Sequence, residues 1–114
     1  MESLREETAS NDHLVALAAY MSAAANETRM RILYSLWRAG ELCVCDLADI
    51  FGISQPAVSR HMKILREKAL VASRRDSQTI FYRVCEENAF AAALIDQFRR
   101  KQLDVVELHV PLHT

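Results

Sequence analysis

The stretch from Glu41 to Leu65, ELCVCDLADIFGISQPAVSRHMKIL, constrains the fold more than any other. Leu47, Ala48 and Ile50 recur at helical spacing before Phe51-Gly52-Ile53, and Val58, Met62 and Leu65 do so after it. Gly52 supplies the sharp break between the two, because glycine enters left-handed backbone without a Cβ penalty. Ser54 is a favoured N-cap for the second helix, and Pro56 falls in its opening turn, where a missing N–H costs nothing. If Cys43 caps the first helix, Leu42 and Leu47 take the two positions of a hydrophobic staple and Asp46 the N3 position of a capping box. Ile53 and Val58 repeat the staple around Ser54, so local sequence fixes both helix starts. Helix, short glycine-containing turn, helix is the arrangement that lays a second helix in the major groove of DNA.

The remainder is organised around this pair. A chain of 114 residues allows one domain, and with half its residues apolar and only two Gly and two Pro it predicts a mainly α fold. Residues 1–11 have no apolar period and are expected to be a flexible N-terminus. From Asp12, the pattern Leu14, Leu17, Ala18, Met21 predicts an alanine-rich helix. Asn26 caps the next, which buries Ile32, Leu33, Leu36 and Trp37 and stops at Gly40. Residues 71–75 and 79–84 read as two strands around the polar turn Asp76-Ser77-Gln78, a two-stranded wing. From Glu86 a last helix carries Phe90, Leu94, Ile95 and Phe98. The apolar faces of the first and last helices exceed what a three-helix winged core covers, so these terminal helices are expected to form a two-fold dimer interface. The domain spans residues 12–102. The tail, 103–114, carries Val105, Val106, Leu108 and Val110, which either pack on the partner or hang free, and His109 and His113, which form no ligand spacing. No apolar run reaches membrane-spanning length and the acidic N-terminus lacks a secretory core, so the expected compartment is the cytoplasm and the expected state of the three Cys is reduced.

A net charge of −1 conceals an asymmetry. Between Arg60 and Arg83 seven Lys/Arg face two acidic residues, whereas the rest of the chain has seven basic and thirteen acidic residues. A basic helix and hairpin on an acidic body is the electrostatic footprint of a nucleic-acid face. On the second helix Gln55 and Arg60 have the donor geometry for adenine and guanine edges, Ser59 reaches a base or a phosphate, and Lys63 and Arg66 suit phosphates. Arg74 and Arg75 on the hairpin suit a minor groove or phosphate. His61 is read as a histidine at the edge of the core.

The stretch Glu41-Leu42-Cys43-Val44-Cys45-Asp46-Leu47, with Ser54 to His61 after it, resembles the ArsR/SmtB family of metal- and metalloid-sensing repressors, and its CVCD portion is similar to the arsenic- and antimony-responsive members. The likeness runs over residues 14 to 98, from Asn26-Glu27-Thr28-Arg29 to Phe81-Tyr82-Arg83-Val84. It implies a winged helix-turn-helix homodimer bound to operator DNA, with As(III) or Sb(III) as inducer on Cys43 and Cys45. On a regular helix these two side chains would point roughly 200° apart, so both reach one ion only where the backbone leaves helical geometry, as an N-cap does. A disulfide between them would close a very small ring and is not expected as a structural staple. Members with the full arsenic signature have a third Cys where this chain has Ala48, which leaves Cys85 as the candidate third sulfur. The N-terminal cysteines of cadmium and lead sensors are missing, and Asn88, Arg99 and Gln102 stand where a zinc site would have His, His and Glu.

Two other functions fit the same residues. The thiols could form a redox or persulfide switch on the same scaffold, or the winged helix could serve protein interaction alone. No Ser/His/Asp, paired-carboxylate or phosphate-loop constellation points to an enzyme.

Overall fold

The computed structural model describes the backbone of residues 1–108 and the side chains of residues 1–100. Helices α1 (Glu2–Ala9), α2 (Asp12–Ala24) and α3 (Glu27–Ala39) lead into a two-residue strand β1 (Leu42–Cys43), then α4 (Val44–Phe51) and α5 (Gln55–Glu67). Strands β2 (Val71–Asp76) and β3 (Thr79–Val84) form a hairpin before the last helix, α6 (Ala89–Leu108).

The predicted stops and starts carry the helix pair. Gly52 ends α4 in the left-handed region at φ 64°, and the Ser54 side chain accepts from the Ala57 N–H at the start of α5. Asn11 and Asn26 cap α2 and α3 through the N–H groups of Leu14 and Arg29. The core lies between α3, α4, α5 and the sheet. Ile32, Leu33, Leu36, Leu47, Val58, Met62 and Leu65 are all buried in it. Trp37 is half-buried and lies 6.0 Å from the Phe98 ring, so an aromatic contact rather than full burial joins α3 to α6.

Four local features differ from expectation. Residues 2–9 form a helix with no buried residue; its polar helix formers lack the apolar period that would reveal it. The wing is part of a three-stranded antiparallel sheet of order β1-β3-β2, with Leu42 paired to Tyr82 and Cys43 to Phe81. Two residues are too few to show a strand period. The last helix starts at Ala89, because the Asn88 carboxamide oxygen accepts from the N–H groups of Phe90 and Ala91. It continues to Leu108, into the span expected to be tail, since no Gly or Pro interrupts residues 99–108. Residues 109–114, with His109, Val110 and His113, lie outside the described residues.

Arg29 ties the helical layers together. Its Nε donates to the Ala23 carbonyl at the end of α2 (2.6 Å), and its Nη1 lies 3.3 Å from His61 Nδ1 on α5. Arginine has only donors, so Nδ1 accepts and His61 is neutral there. Desolvation first, then the nearby Arg29 and Arg60 charges, hold His61 below its ordinary 6.5. The unfolded chain therefore takes up a proton, as pH falls below 6.5, that the folded chain declines, and stability falls in that window. Urea titrations at falling pH should show this loss in the wild type and a shallower one in His61→Gln.

Candidate functional site

Cys43 lies where strand becomes helix. Its backbone is extended (φ −89°, ψ 168°), its Sγ accepts from the Asp46 N–H (3.3 Å), and its own N–H donates to Asp46 Oδ2 (3.2 Å). This is the capping box that the sequence implied, with a cysteine sulfur in the role usually taken by a hydroxyl. Because Cys43 is non-helical, its side chain turns toward Cys45 instead of away from it.

The structure joins Cys43 and Cys45 in a disulfide, with Cα atoms 5.3 Å apart. This differs from the expectation that the pair would not form a disulfide staple. The expectation fails because the extended N-cap brings the two Cβ atoms to one side, at a Cα separation within the ordinary range. Cys43 is 5% exposed and Cys45 is exposed. The pair borders an open cleft of about 180 Å³ shared with Gln55 of α5 and with Gln78, Thr79 and Ile80 of the wing. Among the described residues, Cys43, Cys45 and Asp46 form a group of possible ion ligands, with donor atoms within 4.8 Å of one another.

Cys85 is not brought to this group. It follows β3, four residues beyond the partner of Cys43, which at strand rise is about 13 Å away. Its thiol donates to Glu87 (3.2 Å), and that carboxylate, with some burial, pushes the thiol's pKa up.

Gln55, Ser59, Arg60, Lys63 and Arg66 are all exposed on α5. Ser59, Lys63 and Arg66 line a cleft of about 340 Å³ with Glu67 and Tyr82, between α5 and the hairpin. Strand register separates the two wing arginines. Arg75 pairs with Ile80 and lies on the sheet face of Ser73, Tyr82 and Val84, toward α5; Arg74 pairs with Phe81 and lies on the opposite face. Arg74 spans β3, with its guanidinium 4.6 Å from the Phe81 ring centroid and two bonds of 2.7 Å to the Glu41 carboxylate. That bidentate contact holds the Glu41 carboxyl below its ordinary range. Among the described residues, Arg60, Lys63, Arg66 and Arg75 enter no ion pair. The Arg74–Glu41 latch was not visible in the sequence, because its partners are 33 residues apart and meet only through the sheet order.

A capped reading helix, a basic hairpin and a three-stranded sheet define a winged helix-turn-helix protein. Residues 26–73 match the family described as bacterial regulatory protein, arsR family. An arsenical resistance operon repressor from Escherichia coli (strain K12) is 40% identical over 84 residues, covering 73% of this chain and 72% of that protein. The chain belongs to the ArsR family of transcriptional regulators. Among solved structures, the homodimeric winged helix-turn-helix DNA-binding domain Mb0332 from Mycobacterium bovis has a TM-score of 0.66 at 27% identity, over 90% of this chain and 89% of that one. The AntR antimony-specific transcriptional repressor has a TM-score of 0.68 at 25% identity, over 88% and 86%.

The cap itself is measurable. Cys43→Ser keeps an acceptor at the N-cap, whereas Cys43→Ala leaves the Asp46 N–H without one. Compared under reducing conditions, Cys43→Ala should be less stable than Cys43→Ser by about 1 kcal/mol in chemical denaturation.

Proposed function

We propose that this chain is a cytoplasmic, dimeric repressor that leaves its operator when As(III) or Sb(III) binds the reduced Cys43–Cys45 pair. The observation that carries the reading is the convergence of the two sulfurs at the start of α4, in a cleft shared with the first residue of α5 and with the wing turn. Thiolates select soft ions, and the E. coli relative and AntR are named for arsenic and antimony.

An ion drawing on both sulfurs acts on the cap of α4, which packs on α5 through the buried Leu47. It acts on the wing too, because Cys43 pairs with Phe81 and Glu41 holds Arg74. DNA and ligand thus oppose each other reciprocally. Gln55, Ser59 and Arg60 would read bases, and Lys63, Arg66 and Arg75 would hold phosphates. Arg74, tied to Glu41, is reassigned from DNA contact to positioning the wing.

A dimer is supported by the apolar face of α2, where Leu14 is 43% exposed and Met21 56%, and by the homodimeric Mb0332 domain. The disulfide favours a second reading, in which oxidation of the same pair is the signal.

Operator binding followed by fluorescence anisotropy, with arsenite or oxidant, separates the readings. Arsenite should release the reduced wild type and not Cys43→Ser/Cys45→Ser; equal release of both would rule out the thiol site. Release by oxidant alone would establish the redox reading. In salt titrations, Arg75→Ala should reduce the slope of log K against log[salt] by about 1.8, the loss of one phosphate contact from each protomer of the dimer. Arg74→Ala should leave that slope unchanged.

A further inference from the structure

The ArsR resemblance leaves the third donor open: its third cysteine position holds Ala48, half-buried against the core, and Cys85 is remote. The structure supplies another group at the thiol pair. We propose that Asp46 is the third donor, and that the capping box of α4 is itself a two-sulfur, one-oxygen site for a trivalent metalloid. This rests on the thiol-site reading above.

Three observations carry it. The Asp46 carboxylate already lies within 4.8 Å of both sulfurs. It is held there by the backbone, since Cys43 N–H donates to Oδ2 and Asp46 N–H to Cys43 Sγ. Asp46 and Cys45 are both exposed, so an ion entering from solvent meets oxygen and sulfur together. The other polar side chains at the cleft, Gln55, Gln78 and Thr79, are neutral and cannot offset positive charge on the ion.

The reaction balances without electron transfer. Neutral arsenous acid, As(OH)3, exchanges its three hydroxyls for two thiolates and one carboxylate. The two thiols release two protons, one further proton is taken from solvent, and three waters leave. Two As–S bonds and one As–O(carboxylate) bond replace three As–OH bonds, and arsenic stays trivalent. A two-sulfur site that kept one hydroxyl would release two waters and take up no proton. Ligation also draws Oδ2 away from the Cys43 N–H, so filling the site loosens the cap that starts α4.

The test uses the full chain, reduced with a phosphine that is then removed, titrated calorimetrically with arsenite and with phenylarsine oxide. The phenyl group blocks the third position, so phenylarsine oxide needs only the two sulfurs. Because filling the three-donor site takes up one proton, wild-type affinity for arsenite should fall as pH rises from about 6, by about tenfold per pH unit. Asp46→Asn, which keeps an acceptor for the Cys43 N–H, should bind arsenite about ten- to a hundredfold more weakly near pH 6 and lose the pH slope. Its affinity for phenylarsine oxide should match the wild type, which also reports a native dithiol. Equal arsenite affinity and slope in the two proteins would overturn the proposal. A parallel loss for both arsenicals would assign Asp46 a structural role only and overturn it as well. Wild type that binds phenylarsine oxide but not arsenite would overturn the three-donor site alone; wild type that binds neither would overturn the thiol-site reading with it.

Discussion

The extended backbone at Cys43 is the constraint on which the site depends. One residue ends β1, caps α4 and presents a sulfur. Were it helical, its side chain would point roughly 200° from that of Cys45, and the N–H of Asp46 would have no acceptor there. Its strand pairing with Phe81 would be lost at the same time. The chemistry of the thiols and the attachment of the wing are therefore not separate features of the fold. They are consequences of a single φ/ψ choice, and the staple residue Leu47, fully buried, holds the helix that follows in place.

How much was legible in the sequence follows from the range of the interactions. Caps at Asn26, Cys43 and Ser54 and the stop at Gly52 are written within a few residues, and each stands where the pattern put it. Burial of Val58, Met62 and Leu65 follows from helical period alone. What failed was short or non-local. Strand β1 has two residues, α1 has no apolar period, and the Arg74–Glu41 contact needs the sheet order to exist. The adjacent Arg74 and Arg75 looked equivalent as sequence. Strand parity sends one toward α5 and the other across Phe81 to Glu41, and no count of charges could divide them. The disulfide was not expected because the ring it closes is small; the extended cap at Cys43 sets the Cα separation at 5.3 Å.

Charge is segregated by the same architecture. The net charge of −1 is spread so that the cations of α5 and Arg75 share one side of the domain. The cation that parity turned away from that side is neutralised by Glu41. An unpaired Arg74 would leave a second cationic patch on the back of the sheet. The bidentate pair suppresses it and fixes the edge of the wing against the segment that carries the thiols.

The energies involved bear on why such a sensor would be dimeric. Nearly complete release, from 1:99 to 99:1, needs about 5.5 kcal/mol of differential affinity. A helix cap contributes about 1 kcal/mol, and the Arg74 latch lies in solvent, so disturbing one α4 start falls short. In a two-fold dimer, two sites act on one DNA complex, and each needs to supply about half, near 2.7 kcal/mol. That is within reach of a lost cap, a weakened latch and a few hydrogen bonds of the β1–β3 edge taken together. In the proposed mechanism, placing the thiols at a point shared by the cap and the sheet edge would let one ligation event draw on all three, which neither a cysteine pair inside a helix nor one on a free loop would do.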